Sequence, residues 1–245
     1  PRFQVVEYLR AFLMNRVANA HMNTLMLISG AFGVFRRSTL VEMGGYYHDT
    51  VGEDLELVVR MHRHLRDQKR DYRIDFVPDI VCWTEAPAEL DGLDNQRARW
   101  QQGALETLQR HRGMILNPRY GRIGLLAMPQ IVLEDVLGPP AELLGYLVLP
   151  AAALLGLLDP MMAVAFFFVS VVFGCVLSLG TLALEEQQLR RTPSAKDLLR
   201  LGAAAVIENF GYRQINILYR LAGFGRYFRN DTSWAAVPRV GLGNN

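Results

Sequence analysis

Between Arg122 and Arg190 the chain carries no lysine or arginine, although 26 basic residues are distributed over its 245 positions. A soluble domain seldom leaves so long a stretch without a basic side chain, whereas a pair of membrane spans requires one. Two apolar runs occupy it. Leu143 to Leu158 with its flanks, and Met161 to Leu184, each approach the ~20 residues that cross ~30 Å of hydrocarbon, and Asp159 and Pro160 make a tight link between them. Two core helices of a large soluble protein remain the alternative. Ahead of them, Leu125 to Leu137 ends in Glu134 and Asp135. It is too short and too acidic to span unaided and suits an interfacial helix.

The rest of the chain divides around this stretch. Residues 1–122 hold seventeen basic and fifteen acidic side chains, an ordinary charged globular composition. The net charge of +2 says little by itself. Cys82 and Cys175 have neither metal spacing nor a disulfide framework and read as core thiols in a reducing setting. The chain opens at Pro1 with no initiator methionine or signal peptide, so a fragment of a longer protein is expected. Glu185 to Arg200 reads as a charged loop whose Arg190, Arg191 and Lys196 place it on the cytoplasmic side. A third segment, Leu198 to Leu221, is apolar at first and then carries Glu208, Asn209, Arg213, Gln214 and Asn216. Whether it crosses, re-enters or lies at the interface stays open. The expected divisions are therefore 1–122, 123–184 and 185–245.

Within the charged part, residues 3–20 have apolar side chains at helical intervals and predict an amphipathic helix. Leu25 to Ser29 and Ala31 to Phe35 read as short strands, with Gly30 and Gly33 where the backbone turns or approaches something closely. Thr39 and Glu42 form a capping box for a short helix closed by Gly44 and Gly45. A second helix starts at Gly52 and runs to Arg66, with Leu55, Val58, Val59, His62 and Leu65 on one stripe. Glu53 and Asp54 fall in its first turn, where the helix dipole and capping alone favour carboxylates. His62 and His64, two apart, face different ways and read as structural or solvated. Arg66 to Arg73 is an exposed polar turn, and Ile74 to Val77, continued by Pro78 to Thr84, a strand. Glu85 in the following loop is a candidate ligand contact on position alone.

The segment Asn95 to Arg112, NQRARWQQGALETLQRHR, predicts a helix whose Gln96, Arg99 and Trp100, at i, i+3 and i+4, share one face. The stripe continues through Ala104 and Leu108. An arginine fork matches phosphate oxygens, and an indole face suits a sugar ring or a base. An amphipathic helix with a buried tryptophan is the plainer alternative.

Taken together, GEDLEL at 52–57 and QRARW at 96–100, with SGAFGVFRRSTLVEMGG at 29–45 before them and PDIVCWTEAP at 78–87 between them, resemble the membrane-embedded family 2 glycosyltransferases. That group includes the cellulose, hyaluronan, chitin and poly-N-acetylglucosamine synthases. The resemblance covers nearly the whole chain. It implies an α/β fold: the acceptor-side part of a GT-A-like nucleotide-sugar transferase domain, followed by an α-helical transmembrane bundle. It also implies inverting transfer of a sugar from a UDP-sugar to an acceptor hydroxyl, as polysaccharide synthesis coupled to export. Asp54 would be the general base, and Glu53, Gln96, Arg99 and Trp100 would bind substrate. Mg2+ or Mn2+ would assist, with ligands in the missing upstream half, and the piece alone would be inactive.

The partners so implied are a nucleotide sugar, a glycan or lipid acceptor, the lipid bilayer and accessory export subunits, but no nucleic acid. The location would be the bacterial cytoplasmic membrane, multi-pass, with the site facing the cytoplasm. Residues 231–241, with Trp234, loosely resemble the loop that closes over the nucleotide in some of these synthases; a disordered tail is the alternative. The chemistry explains the residue types. A sugar hydroxyl is a poor nucleophile and needs a carboxylate to accept its proton, while the leaving diphosphate needs positive charge. A transferase that adds a single sugar, or a non-catalytic membrane transport or scaffold component, remains the other reading.

Overall fold

The computed structural model describes residues 15–77, 82, 85, 87, 89–189 and 195–231, together with Gln4 and Glu7. Among the described residues run the helices α1 (Asn15–His21), α2 (Arg37–Glu42), α3 (Glu53–Asp67), α4 (Leu90–Arg110), α5 (Ile123–Leu154), α6 (Pro160–Leu189), α7 (Ala195–Ile207) and α8 (Tyr212–Phe228). The chain forms two compact units, one of Arg16–Gly138 with Tyr219–Asn245 and one of Pro1–Asn15 with Pro139–Leu218.

In the first unit α3 is the core element. Leu57, Val58 and Val59 are fully buried. Val59 packs with Met26, Leu108, Met114 and Met128, while Val58 joins Leu25, Met61, Leu65 and Ile74 on another side. Because consecutive residues on a helix point to different faces, α3 is covered on more than the single stripe that its periodicity predicts. His62 is fully buried as well. Its Nε2 meets the Leu25 carbonyl at 2.9 Å and its Nδ1 the Tyr72 hydroxyl at 2.6 Å. The tautomer that satisfies both carries its proton on Nε2 and accepts from Tyr72. The histidine is structural, as expected.

The α/β expectation is not confirmed: no strand forms among the described residues. Leu25 to Ser29, Ala31 to Phe35 and Ile74 to Val77 lie outside regular structure. A segment becomes a strand only when a neighbouring backbone pairs with it. Here side chains take that place: the Asn23 amide donates to the Tyr72 carbonyl at 3.0 Å and accepts from the Ile74 N–H at 3.0 Å. The continuation over 78–84 lies outside the described residues except for Cys82, which is exposed rather than in a core. It sits outside any regular element.

The capping box is also corrected. Helix α2 begins at Arg37 without a side-chain cap, and Thr39 lies buried inside it. Glu42 instead accepts from Gln68 at 2.8 Å, Arg70 at 2.9 Å and His64 at 3.0 Å, which hold its carboxyl well below the usual range. Gly44 and Gly45 close α2 as expected, at φ of 81° and 75°.

Helix α5 is one run of 32 residues. It begins before the predicted interfacial segment and contains two wide, π-type turns, Ile123–Ala127 and Val132–Leu137. Helix α6 continues to Leu189, so the expected loop from Glu185 starts later. Asp159 accepts from the Met162 N–H at 3.0 Å and so starts α6.

Both α5 and the Pro160–Gly180 part of α6 are long and apolar enough to cross a membrane, and in each the most apolar window is only 6% buried. Phe166, Phe167 and Phe168 are 58–67% exposed. Core helices of a soluble protein would cover such residues. The third segment is two helices, α7 of 13 residues and α8 of 17, broken before Gly211 at φ 91°. Neither reaches the ~20 residues of a span. In the second unit α7 packs on α6 with Ala204 and Ala205 buried, and the Ser178 hydroxyl donates at 2.7 Å to the buried Glu208.

Burial pushes the His62 imidazole down to about 4. Between that value and ~6.5 the unfolded chain binds the proton and the folded one does not. The stability contributed by neutral His62 is thus complete above ~6.5 and lost as the pH falls toward 4, by ~3 kcal/mol in all. Thermal unfolding at pH 7, 6, 5 and 4 should show this decline, and His62→Gln, which cannot take up the proton, should flatten it.

Candidate active site

The two helices that carry the acidic pair and the Q-x-x-R-W string pack against each other at Gly52 and Gly103. A Cβ on either glycine would lie 2.7 Å from the other's Cα, so the backbones touch. This approach explains why the N-cap position of α3 is a glycine with no capping side chain. The turn leading into α3 is held from α4 instead: Glu106 accepts from the Thr50 hydroxyl at 2.7 Å and the Val51 N–H at 3.0 Å. Asp54 stands two residues beyond Gly52. Arg99 and Trp100 precede Gly103 by four and three residues and therefore share its helix face.

Asp54 is half-buried, and its Oδ1 accepts from the Leu55 N–H at 2.8 Å. Its Oδ2 accepts from the Gly30 N–H at 3.2 Å, presented by a turn that the Phe32 N–H closes onto the Ser29 carbonyl. The carboxylate lines a cavity of about 270 Å³ with Ser29, Gly30, Phe32, Gly33 and Tyr46. Arg16 supplies positive charge nearby; burial draws its guanidinium down to about 10, and the Asp54 charge opposes that shift. Glu53 is exposed.

On α4, Gln96 and Arg99 are half-buried and Trp100 is 43% exposed. A buried tryptophan is therefore not what this helix carries. Arg97, the intervening residue, is buried, and its guanidinium stacks 4.6 Å from the Trp100 ring. That contact props the indole from one side. Glu85 is half-buried outside any regular element.

Three residues that support this arrangement were not singled out from the sequence. Glu56 is fully buried one turn beyond the acidic pair, accepts from Arg60 Nε at 3.0 Å and 3.1 Å, and meets His111 Nε2 at 3.1 Å. Arg60 also donates to the Met43 carbonyl at 2.6 Å and the Gly45 carbonyl at 2.5 Å, and lies 3.9 Å from the Tyr47 ring. Glu56 thus joins the helix of Asp54, the end of the Trp100 helix and the turn that presents Tyr46. The i, i+4 spacing of Glu56 and Arg60 was visible, but such a pair on a helix ordinarily reads as solvated.

No group of three or more His, Cys, Asp or Glu side chains among the described residues is placed to hold a metal ion. Both carboxylate oxygens of Asp54 are engaged by backbone N–H groups. These residues therefore do not fit a bound Mg2+ or Mn2+ by themselves.

Gly103→Ala should open the crossing and destabilise the protein by ~1–3 kcal/mol. Gly225→Ala, where an added Cβ meets nothing within 4 Å, should be neutral or stabilising. Thermal unfolding of the two variants side by side checks this. Glu56→Ala, which leaves Arg60 buried without its partner, should cost ~3–5 kcal/mol in the same measurement.

Comparison with known proteins bears on the same residues. The family model described as Glycosyl transferase family group 2 matches residues 2–183. A poly-beta-1,6-N-acetyl-D-glucosamine synthase of Staphylococcus aureus (strain COL) is 29% identical over 131 residues, 54% of this chain and 30% of that protein. The protein of the same name from Staphylococcus epidermidis is 30% identical over 109 residues, 44% of this chain and 25% of the relative. The chain thus aligns with less than a third of the length of these relatives. No solved structure matches it.

Proposed function

From the premise that this chain belongs to the glycosyl transferase family group 2, we propose that it carries the acceptor side of an inverting glycosyltransferase that moves a sugar from a UDP-sugar to an acceptor hydroxyl. The names of the staphylococcal relatives favour N-acetylglucosamine as the sugar and a polymer as the product, extended and exported across the bacterial cytoplasmic membrane. The observation that carries this reading is the backbone contact of Gly52 and Gly103, which sets the two motif helices together.

In this reading Asp54 accepts the proton of the attacking hydroxyl through the carboxylate that lines the cavity. The Gly30 N–H aims that carboxylate, and the half-buried setting limits competing water. Trp100, propped by Arg97 and 43% exposed, offers its ring to the acceptor sugar. Gln96 and Glu53 supply hydrogen bonds to substrate hydroxyls. Arg99 offsets charge on the departing diphosphate. A divalent cation would add to that offset, although the described residues do not form its site.

Helices α5 and α6 supply the membrane part, with the exposed Lys196 and Arg200 that follow them marking the cytoplasmic side. A glycan or lipid acceptor and accessory export subunits complete the proposed partners.

Asp54→Asn in the intact protein, assayed in membranes with radiolabelled UDP-N-acetylglucosamine, should lower transfer about a hundredfold or more. Retained transfer would overturn the assignment. Product length on a gel in the same assay separates polymer synthesis from the addition of a single sugar.

A further inference from the structure

The Q-x-x-R-W string is gripped at both ends by one helix, α8, through contacts within the first compact unit. On one side Arg226 Nη2 donates to Asn95 Oδ1 at 2.7 Å, immediately before Gln96. On the other, Arg220 Nε donates to Gln101 Oε1 at 2.9 Å, immediately after Trp100. Gly223, between the two arginines, has no side chain and lets α8 lie against α4. A Cβ there would stand 2.5 Å from the Ala98 carbonyl oxygen and 2.6 Å from Gln101 Cβ.

Arg220 reaches further. Its Nη2 donates to the Glu134 carbonyl at 2.8 Å and to Asp135 Oδ1 at 2.7 Å. Gln101, only 2% exposed, turns its own amide N–H to the Asp135 carbonyl. Both carbonyls belong to the wide turn Val132–Leu137 of α5. Such turns loosen the regular backbone ladder and leave carbonyls for other donors. One guanidinium therefore joins three elements, and the buried amide of Gln101 is fixed at both its oxygen and its nitrogen.

We propose that Arg220, seconded by Arg226, is a positioning residue that sets the rotation and axial placement of the helix presenting Arg99 and Trp100. The arginines act through Asn95 and Gln101, the two neighbours of the string. A planar fork can serve Gln101, a backbone carbonyl and a carboxylate together, which a lysine ammonium at the end of its stem cannot do with the same geometry. This proposal rests on the reading above in which Arg99 and Trp100 hold diphosphate and acceptor.

The test is a kinetic cycle on the intact protein in membranes with UDP-N-acetylglucosamine, with kcat expressed per folded enzyme. Arg220→Gln should lower kcat about tenfold or more, because small misplacement of a binding group is costly, and should change the donor KM far less. Arg220→Lys should recover only part of the loss. The double variant Arg220→Gln with Trp100→Ala should lose clearly less than the product of the two single fold-losses, since part of the arginine's effect runs through the placement of that ring.

Wild-type kcat for Arg220→Gln, while Trp100→Ala is impaired, overturns the clamp and leaves the functional reading standing. Fully additive losses in the double variant overturn it too. Wild-type kcat for Trp100→Ala instead removes the functional reading, and the clamp falls with it.

Discussion

The close contact of two backbones, at Gly52 and Gly103, is the constraint on which the rest of this unit depends. Helices can approach so closely only where both lack side chains, and the approach leaves polar groups near the crossing away from water. Each must then find a partner in the protein. Glu106 takes the Thr50 hydroxyl and the Val51 N–H beside the crossing, and Glu56 takes Arg60 and His111 farther along it. A buried carboxylate beside a buried guanidinium is no strong source of stability in itself, because desolvation offsets most of the attraction. What it gives is a defined arrangement: with Glu56 held, Arg60 fixes the carbonyls of Met43 and Gly45 and so the turn from which Tyr46 reaches the cavity of Asp54.

The same economy of satisfied polar groups runs through the elements around α4. Gln101 and Gln102 are both 2% exposed, positions that an amphipathic reading would reserve for apolar side chains. They are tolerated because Gln101 is bound by Arg220 and the Asp135 carbonyl, and Gln102 donates to Glu106 and to the Asp231 carbonyl. In the other compact unit, Gly174 leaves room for the Asn209 side chain, and Ser178 meets Glu208, so polar groups enter an apolar helix pair only where small residues admit them.

What the sequence made legible follows from the range of the forces involved. Helix α3, expected from Gly52 to Arg66, spans Glu53–Asp67, and the helix expected over 95–112 spans Leu90–Arg110. Apolar period and helix-end chemistry are local signals, and both survive folding. The two apolar helices were likewise evident from composition alone. Strands were not, because a strand depends on a partner that may lie anywhere in sequence, and at Tyr72 and Ile74 a single asparagine side chain takes the partner's place. The capping box failed because Glu42 is drawn to residues 22 to 28 positions away, a pull invisible to a four-residue motif. The acidic pair and the Q-x-x-R-W string were read as candidates from spacing and resemblance. Glu56, His111, Arg97 and Arg220 were not, since a charged residue in a helix reads as solvated until its burial is known.

The most direct measurement is an experimental structure of the intact protein with an acceptor oligosaccharide bound. An acceptor hydroxyl ~2.6–3.2 Å from the Asp54 carboxylate, with the Trp100 ring stacked on the same glycan, is the result expected if the Gly52–Gly103 crossing builds the acceptor site. A glycan seated away from Asp54, or Trp100 turned from it toward another partner, would contradict that claim.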